Sequence, residues 1–242
     1  MSHTVLKIIC IVILFQSSLF AQAENLSIEA DVSLENGPRL KLVLNEEYLI
    51  THLLAKKVSA QNLAAKDVIA VQKLALKMDP TTYRQFQNYK DPSIELTTSP
   101  IFLSSFATFF NRIKQTTEYK LIKKQTIDYM NVSLLEWNQN LEKSTVFIKK
   151  YSGFNFNYSV TVYITHPAVG NGEAQNIQEK IIAFGAKPTF NNYFTVYIWH
   201  EIIHLQMNLD KTSHAANQLL TDNDLRVFLN GDHLFPLQGH QN

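Results

Sequence analysis

The chain has 242 residues, of which 45% are apolar and 18% are charged. This length and composition predict a folded domain with a sizeable hydrophobic core and exclude a disordered chain. The formal net charge is +1, and no basic stripe is interleaved with aromatic residues, so nothing indicates a nucleic-acid partner.

The N-terminal segment has the pattern of a secretory signal peptide. Lys7 precedes an apolar run over residues 8–15, and Ala21-Gln22-Ala23 has the small residues of a cleavage site. We therefore expect a signal peptide over residues 1–23, cleaved after Ala23, and a secreted or periplasmic protein with no membrane contact after cleavage. Cys10 is the only cysteine, so the mature chain would have neither disulfides nor cysteine metal ligands.

The first part of the expected mature chain, residues 24–150, is predicted to be mainly helical. Alternating apolar residues around the Asn36-Gly37-Pro38 turn predict two short strands within residues 28–43. Apolar residues then recur at helical spacing. The predicted helices span residues 46–76, 81–89, 101–113 and 116–147, the last in two pieces.

The second part, residues 151–242, is predicted to combine a small twisted sheet with two helices. Strands are expected over residues 154–165 and 177–185, with a turn at Gly170-Asn171-Gly172 between them. The sequence therefore predicts an α+β fold in which residues 24–242 form a single domain.

Two helices are expected after these strands. The first runs from about Tyr193 to Leu209, has Asn191-Asn192 as its cap, and is apolar nearly all round, which predicts burial. A turn at residues 210–212 leads to the second, which has Ser213 as its cap and ends at Asn230-Gly231.

The first of these helices carries the segment His200-Glu201-Ile202-Ile203-His204. Residues four apart on a helix share a face, so the two imidazoles can bind one Zn²⁺ ion. Glu201 lies beside that face and can act as a base toward a metal-bound water. These three residue types together predict metal-assisted hydrolysis.

The motif resembles that of the zincin metallopeptidases, and the resemblance extends over about residues 155–231. It implies a zinc-dependent peptidase with Glu201 as the catalytic base and a peptide or protein as the substrate. It also implies that an edge strand holds the extended substrate by backbone pairing. Residues 158–164 and residues 180–184 are the two candidate strands.

The segment from Asn217 to Asp222 resembles the gluzincin Asn-Glu-x-x-x-Asp pattern, with Gln218 in place of the third-ligand glutamate. A helical hairpin centred on Lys211 would place residue 218 opposite His204 and residue 222 opposite His200. Gln218 is therefore the expected third ligand. Asp222 is expected to orient the ring of His200 or to bind the metal itself.

Other assignments of the site remain open. A metzincin-like arrangement would use Asp210, although it lacks the usual glycine, because position 207 is methionine. His214 could be the third ligand, although the hairpin levels place it nearer residue 208. His166, His233 and His240 are candidates for stabilising an oxyanion.

The functional alternatives follow from Gln218. A neutral third ligand should hold zinc more weakly than a carboxylate does. The chain is then either an exported zinc metallopeptidase or a catalytically degenerate zincin-like binding protein. A third hypothesis is an exported structural protein with an accidental motif.

Overall fold

The computed structural model describes residues 26–29, 37–55, 66–75, 100–207 and 210–231. No described helix is long and apolar enough to span a membrane. Several predictions lie outside the described residues. They are the signal peptide, Asn36 of the first predicted turn, the helix at 81–89, and the histidines His233 and His240.

Five described strands form one sheet: β1 (Leu26–Glu29), β2 (Arg39–Leu44), β3 (Ser159–Ile164), β4 (Asn171–Asn176) and β5 (Ile181–Gly185). Their order in the sheet is β1-β2-β3-β5-β4. Strand β3 pairs in parallel with β2 and with β5, whereas β1 and β4 run antiparallel at the two edges. The two N-terminal strands therefore belong to the same sheet as the strands after residue 151.

The described helices pack with this sheet, so the predicted combination of helices and a sheet is confirmed as a mixed α and β structure. They are α1 (Glu46–Ala55), α2 (Lys66–Ala75), α3 (Pro100–Lys114), α4 (Thr117–Ser152), α5 (Tyr193–His204), α6 (Lys211–Gln218) and α7 (Arg226–Asn230). A π-helix over Leu219–Leu225 joins α6 to α7. Residues from both halves of the chain, including Leu42, Trp137, Val162 and Trp199, share one buried core.

Helix α4 is continuous over 36 residues, so the prediction of two pieces was wrong. The hydroxyl of Thr116 accepts the N–H of Tyr119 at its start, and Gly153, with φ of 69°, ends it by donating to the carbonyl of Lys149. The sequence between these caps has neither glycine nor proline, so nothing interrupts the helix.

The predicted turn at Gly170-Asn171-Gly172 was wrong, because strand β4 already includes Asn171 and Gly172. Gly170 has φ of 67°, but the strand begins at Asn171, and the expected strand 177–185 begins only at Ile181. The hairpin turn therefore lies at residues 177–180. The segment NGEAQN is too polar to give an apolar alternation, which is why the pattern missed this edge strand.

Helix α5 is buried between the sheet and α4, as its composition predicts. The indole of Trp199 lies 5.6 Å from that of Trp137 and donates to the hydroxyl of Ser144 at 2.8 Å. The helix ends at His204, so its predicted extension to Leu209 was wrong. This early end determines the geometry of the site.

The caps of the last helices also differ from the prediction. Asn192 stands at the N-cap of α5 with φ of 59° and makes no side-chain cap. The carboxylate of Glu136, from α4, instead accepts the N–H of Thr195 at 2.7 Å. Helix α6 is capped by Asp210, which accepts the N–H of Ser213, and not by Ser213 itself.

Candidate metal centre

His200 and His204 lie on the last turn of α5 and point in the same direction. Both residues are buried, with 3% and 7% of their surface exposed. Their Nε2 atoms are 2.9 Å apart and their ring centroids 4.6 Å apart. The helical spacing of four therefore brings the two imidazoles together, as the sequence predicts.

His214 joins this pair from α6. Its ring centroid lies 5.6 Å from that of His200 and 5.0 Å from that of His204, and its ring is nearly parallel to the latter at 17°. One ring nitrogen from each of the three residues lies within 4.8 Å of the others. Among the described histidines, cysteines and acids, these three are the set whose ligand atoms converge in this way.

The predicted helical hairpin placed His214 nearer residue 208, whereas the structure places it beside His200 and His204. The predicted hairpin required α5 to continue to Leu209, but α5 ends at His204 and α6 begins at Lys211. Because the hairpin closes several residues earlier, the second turn of α6 lies beside the last turn of α5.

Asp222 lies on the opposite edge of the His200 ring from His204. Its Oδ1 is 3.0 Å from Nδ1 of His200, and both side chains are 4% exposed. Because a carboxylate can only accept, Nδ1 must carry the proton, and the lone pair of a neutral ring then lies on Nε2. Asp222 thus lies where a carboxylate can orient the ring of a metal-binding histidine.

The environment of His200 favours its charged form, whereas that of His204 does not. Burial lowers the pKa of His200, but the hydrogen bond and charge of Asp222 outweigh this, so the pKa is raised. Burial and the neighbouring His200 and His214 lower the pKa of His204 to about 4. His204 is therefore neutral near pH 7 and can offer a lone pair to a metal.

Polar side chains of α6 and the π-helix contact the backbone carbonyl and the Nδ1 atom of His200. The amide of Asn217 donates to the backbone carbonyl of His200 at 2.9 Å. The hydroxyl of Thr221 donates to the carbonyl of Asn217 at 2.7 Å and lies 3.2 Å from Nδ1 of His200. No role was predicted for Asn217 or Thr221 from the sequence; their spacing of four beside Asp222 is the signal that could have found them.

Two other predicted ligands have different surroundings. Gln218 is half-buried on the last turn of α6, and its backbone carbonyl accepts the amide of Asn223 at 3.4 Å. Its role as a ligand stays a prediction, and the three histidines form a ligand set without it. Asp210 is exposed, and the N–H of Ser213 lowers its pKa, so its carboxylate is engaged in capping α6.

Glu201 faces the edge strand β4. Its side chain is buried and accepts the backbone N–H of Ala174. A Cβ atom added to Gly172 would lie 3.2 Å from Oε1 of Glu201, so the strand passes very close to the carboxylate. Burial raises the pKa of Glu201 to about 7, a value suited to accepting and returning a proton at neutral pH.

The strand next to the site is therefore not one of the two that the sequence analysis proposed. Residues 158–164 and 180–184 belong to β3 and β5, which are both interior strands of the sheet. Their backbone groups already pair on both sides, so neither can add a peptide. Strand β4 is the sheet edge that contacts Glu201.

His166 is a buried residue of the loop after β3. Its Nε2 lies 3.0 Å from Oε1 of Gln125, and its Nδ1 accepts the N–H of Ala168, which fixes the other ring nitrogen as a donor. Burial lowers its pKa to about 4. Both of its nitrogens are thus used within the fold.

The three histidines could hold a metal ion, because one ring nitrogen from each lies within 4.8 Å of the others. Ligand nitrogens around a tetrahedral zinc ion are separated by about 3.3 Å, as zinc–nitrogen bonds of about 2.0–2.1 Å require. On metal binding, the 2.9 Å between the Nε2 atoms of His200 and His204 would have to open slightly, and the wider separations in the cluster, up to 4.8 Å, would have to close. Protonation of all three rings would place like charges together, which favours neutral rings, the form that binds a metal.

Comparisons with known protein families, with curated proteins and with solved structures give no match to this chain.

Proposed function

We propose that the chain is a zinc-dependent hydrolase, most specifically a peptidase of the zincin type, acting outside the cytoplasm. The observation that carries the proposal is the convergence of His200, His204 and His214, with Glu201 beside them and Asp222 behind His200. This combination supplies a three-nitrogen metal site, a base and an orienting carboxylate within one cluster.

Three neutral imidazoles suit zinc and leave a fourth position open, as catalytic zinc sites do. His214 replaces Gln218 in the proposed ligand set. Zinc, when bound, lowers the pKa of a coordinated water and polarises a carbonyl oxygen.

The chain's own residues supply the rest of the chemistry. Asp222 keeps the proton of His200 on Nδ1, so that Nε2 faces the cluster. Glu201 takes the proton of the attacking water and delivers it to the leaving amine. Its burial and its raised pKa of about 7 suit both transfers.

A peptide is the proposed substrate because β4 is a sheet edge beside the base. An extended chain can add to such an edge by backbone hydrogen bonds. Gly172 is exposed and lies against Glu201, so a substrate backbone could approach the carboxylate without a side chain between them. The proposed setting, secreted or periplasmic, rests on the N-terminal pattern.

The test is hydrolysis of a mixed peptide library by the zinc-loaded protein and by Glu201→Gln. The exchange removes the base but keeps the size of the side chain, so turnover should fall by at least about 100-fold while zinc content stays equal. Turnover retained in the variant would contradict the role of Glu201.

The same experiment addresses the alternative of a zincin-like binding protein. That alternative is favoured by Gln218, which stands where the gluzincin pattern has its glutamate. Zinc at one ion per chain, together with peptide binding but no cleavage, would establish it in place of the hydrolase.

A further inference from the structure

Lys180 adopts a backbone conformation that lysine disfavours. Its φ is 56°, in the turn between β4 and β5, and among the described residues other than glycine only Asn192 shares a positive φ. Asparagine tolerates this region and glycine favours it, whereas a long side chain makes it strained. A lysine at this position therefore calls for a compensating contact.

The side chain makes that contact at the end of the ligand helix. Its Nζ donates to the backbone carbonyl of Leu205 at 3.2 Å and lies 5.3 Å from the ring centroid of Tyr158. Leu205 is the C-cap of α5 and directly follows His204. The ammonium thus satisfies a carbonyl that the helix leaves without an internal partner, at the negative end of the helix dipole.

This contact joins the two sides of the proposed site. The β4–β5 hairpin carries Ala174, whose N–H holds Glu201, and α5 carries the histidines. His204 is the last residue of the helix, and only turns follow it, in which Gln206 and Met207 donate to the carbonyl of Ile203. The lysine anchors the helix end at that point.

We propose that Lys180 is a positioning residue for the metal site, which holds His204 in place through the carbonyl of Leu205. The proposal rests on the proposed function, because it requires that the histidine cluster binds zinc. The strain in the turn is then tolerated because it places the ammonium at the helix end.

The experiment is zinc titration of the metal-free protein against a chromophoric chelator, with thermal unfolding of the same samples. The variants are Lys180→Gly and Lys180→Asn, which suit the positive φ but lack the ammonium, and Lys180→Arg, which restores a cationic donor. Zinc affinity should fall by about tenfold in the first two, as for other outer contacts of metal ligands, and recover in the arginine variant. The Tm of the metal-free glycine and asparagine variants should change little, because the relaxed turn and the lost ammonium contact have opposite effects on stability.

Two results would overturn the proposal. One is a zinc affinity in Lys180→Gly within about twofold of the original protein's; the other is an equal loss in Lys180→Arg. If the original protein itself binds no zinc in this titration, the proposed function fails and the inference falls with it. The two failures are therefore distinguishable in one data set.

Discussion

Replacing Asp222 by asparagine should weaken zinc binding without unfolding the protein. The carboxylate lies 3.0 Å from Nδ1 of His200, and both side chains are 4% exposed. Asparagine has the same shape, but it carries no charge and can turn its NH₂ group toward the ring. In that orientation it favours the tautomer with the proton on Nε2, which blocks the metal-binding lone pair.

The magnitude follows from the loss of charge. Hydrogen bonds to charged groups contribute about 1.5–3 kcal/mol and neutral ones about 0.5–1.5 kcal/mol. The midpoints of these ranges differ by about 1.3 kcal/mol, which corresponds to about tenfold in zinc affinity, the lower end of the range for partners of metal-binding histidines. Asp222→Ala should approach about 100-fold, because it leaves the buried Nδ1 group without that acceptor.

The assay is competitive zinc titration, with Asp224→Asn as the matched control. Asp224 lies on the same π-helix but is exposed, so its replacement removes the same charge from the surface and should leave the affinity unchanged. An affinity of Asp222→Asn within about twofold of the original protein's, or an equal loss in the control, would refute the assigned role.

Three further predictions test contacts of the fold, two at glycines of the sheet and one at a buried acid. Gly172→Ala places a methyl group 3.2 Å from Oε1 of Glu201, so peptide turnover should fall severalfold while zinc content stays constant; unchanged turnover would argue against a tight approach of β4. Gly185→Ala would put Cβ into the backbone oxygen of Thr165, so urea unfolding should show a loss of at least about 2 kcal/mol, and an unchanged midpoint would contradict the strand register. Glu46 is desolvated, but hydrogen bonding to Lys123 and the charge of nearby lysines lower its pKa below 4.5, so it contributes stability above pH 4.5 that is lost as the pH falls through the lowered pKa. Glu46→Gln should therefore be less stable at pH 7 and show a weaker acid dependence, whereas parallel stability–pH curves would rule this out.

The sequence predicted the features that depend on local spacing. His200 and His204 are four residues apart on a helix, so their convergence required only that the helix form. The contact between Asp222 and His200 was expected from a hairpin centred on Lys211. The contact is present, but α5 ends at His204 and α6 begins at Lys211, so the hairpin differs from the predicted one.

The features that were missed depend on distant contacts. The convergence of His214 with the pair requires α5 to end at His204, and the apolar pattern of the sequence continues past that residue. Strand β4 is recognisable only from its pairing with β5, because its own residues are polar. Glu136 caps α5 from another helix, and such a cap has no local signal in the sequence.

The most direct test of the whole account is the zinc content of the purified protein beside His204→Ala, His214→Ala and Gln218→Ala. The three-histidine site predicts about one zinc ion per chain in the original protein and in Gln218→Ala, and loss of the metal in both histidine variants. No zinc in the original protein after incubation with it, or zinc retained in His214→Ala and lost in Gln218→Ala, would contradict the three-histidine site.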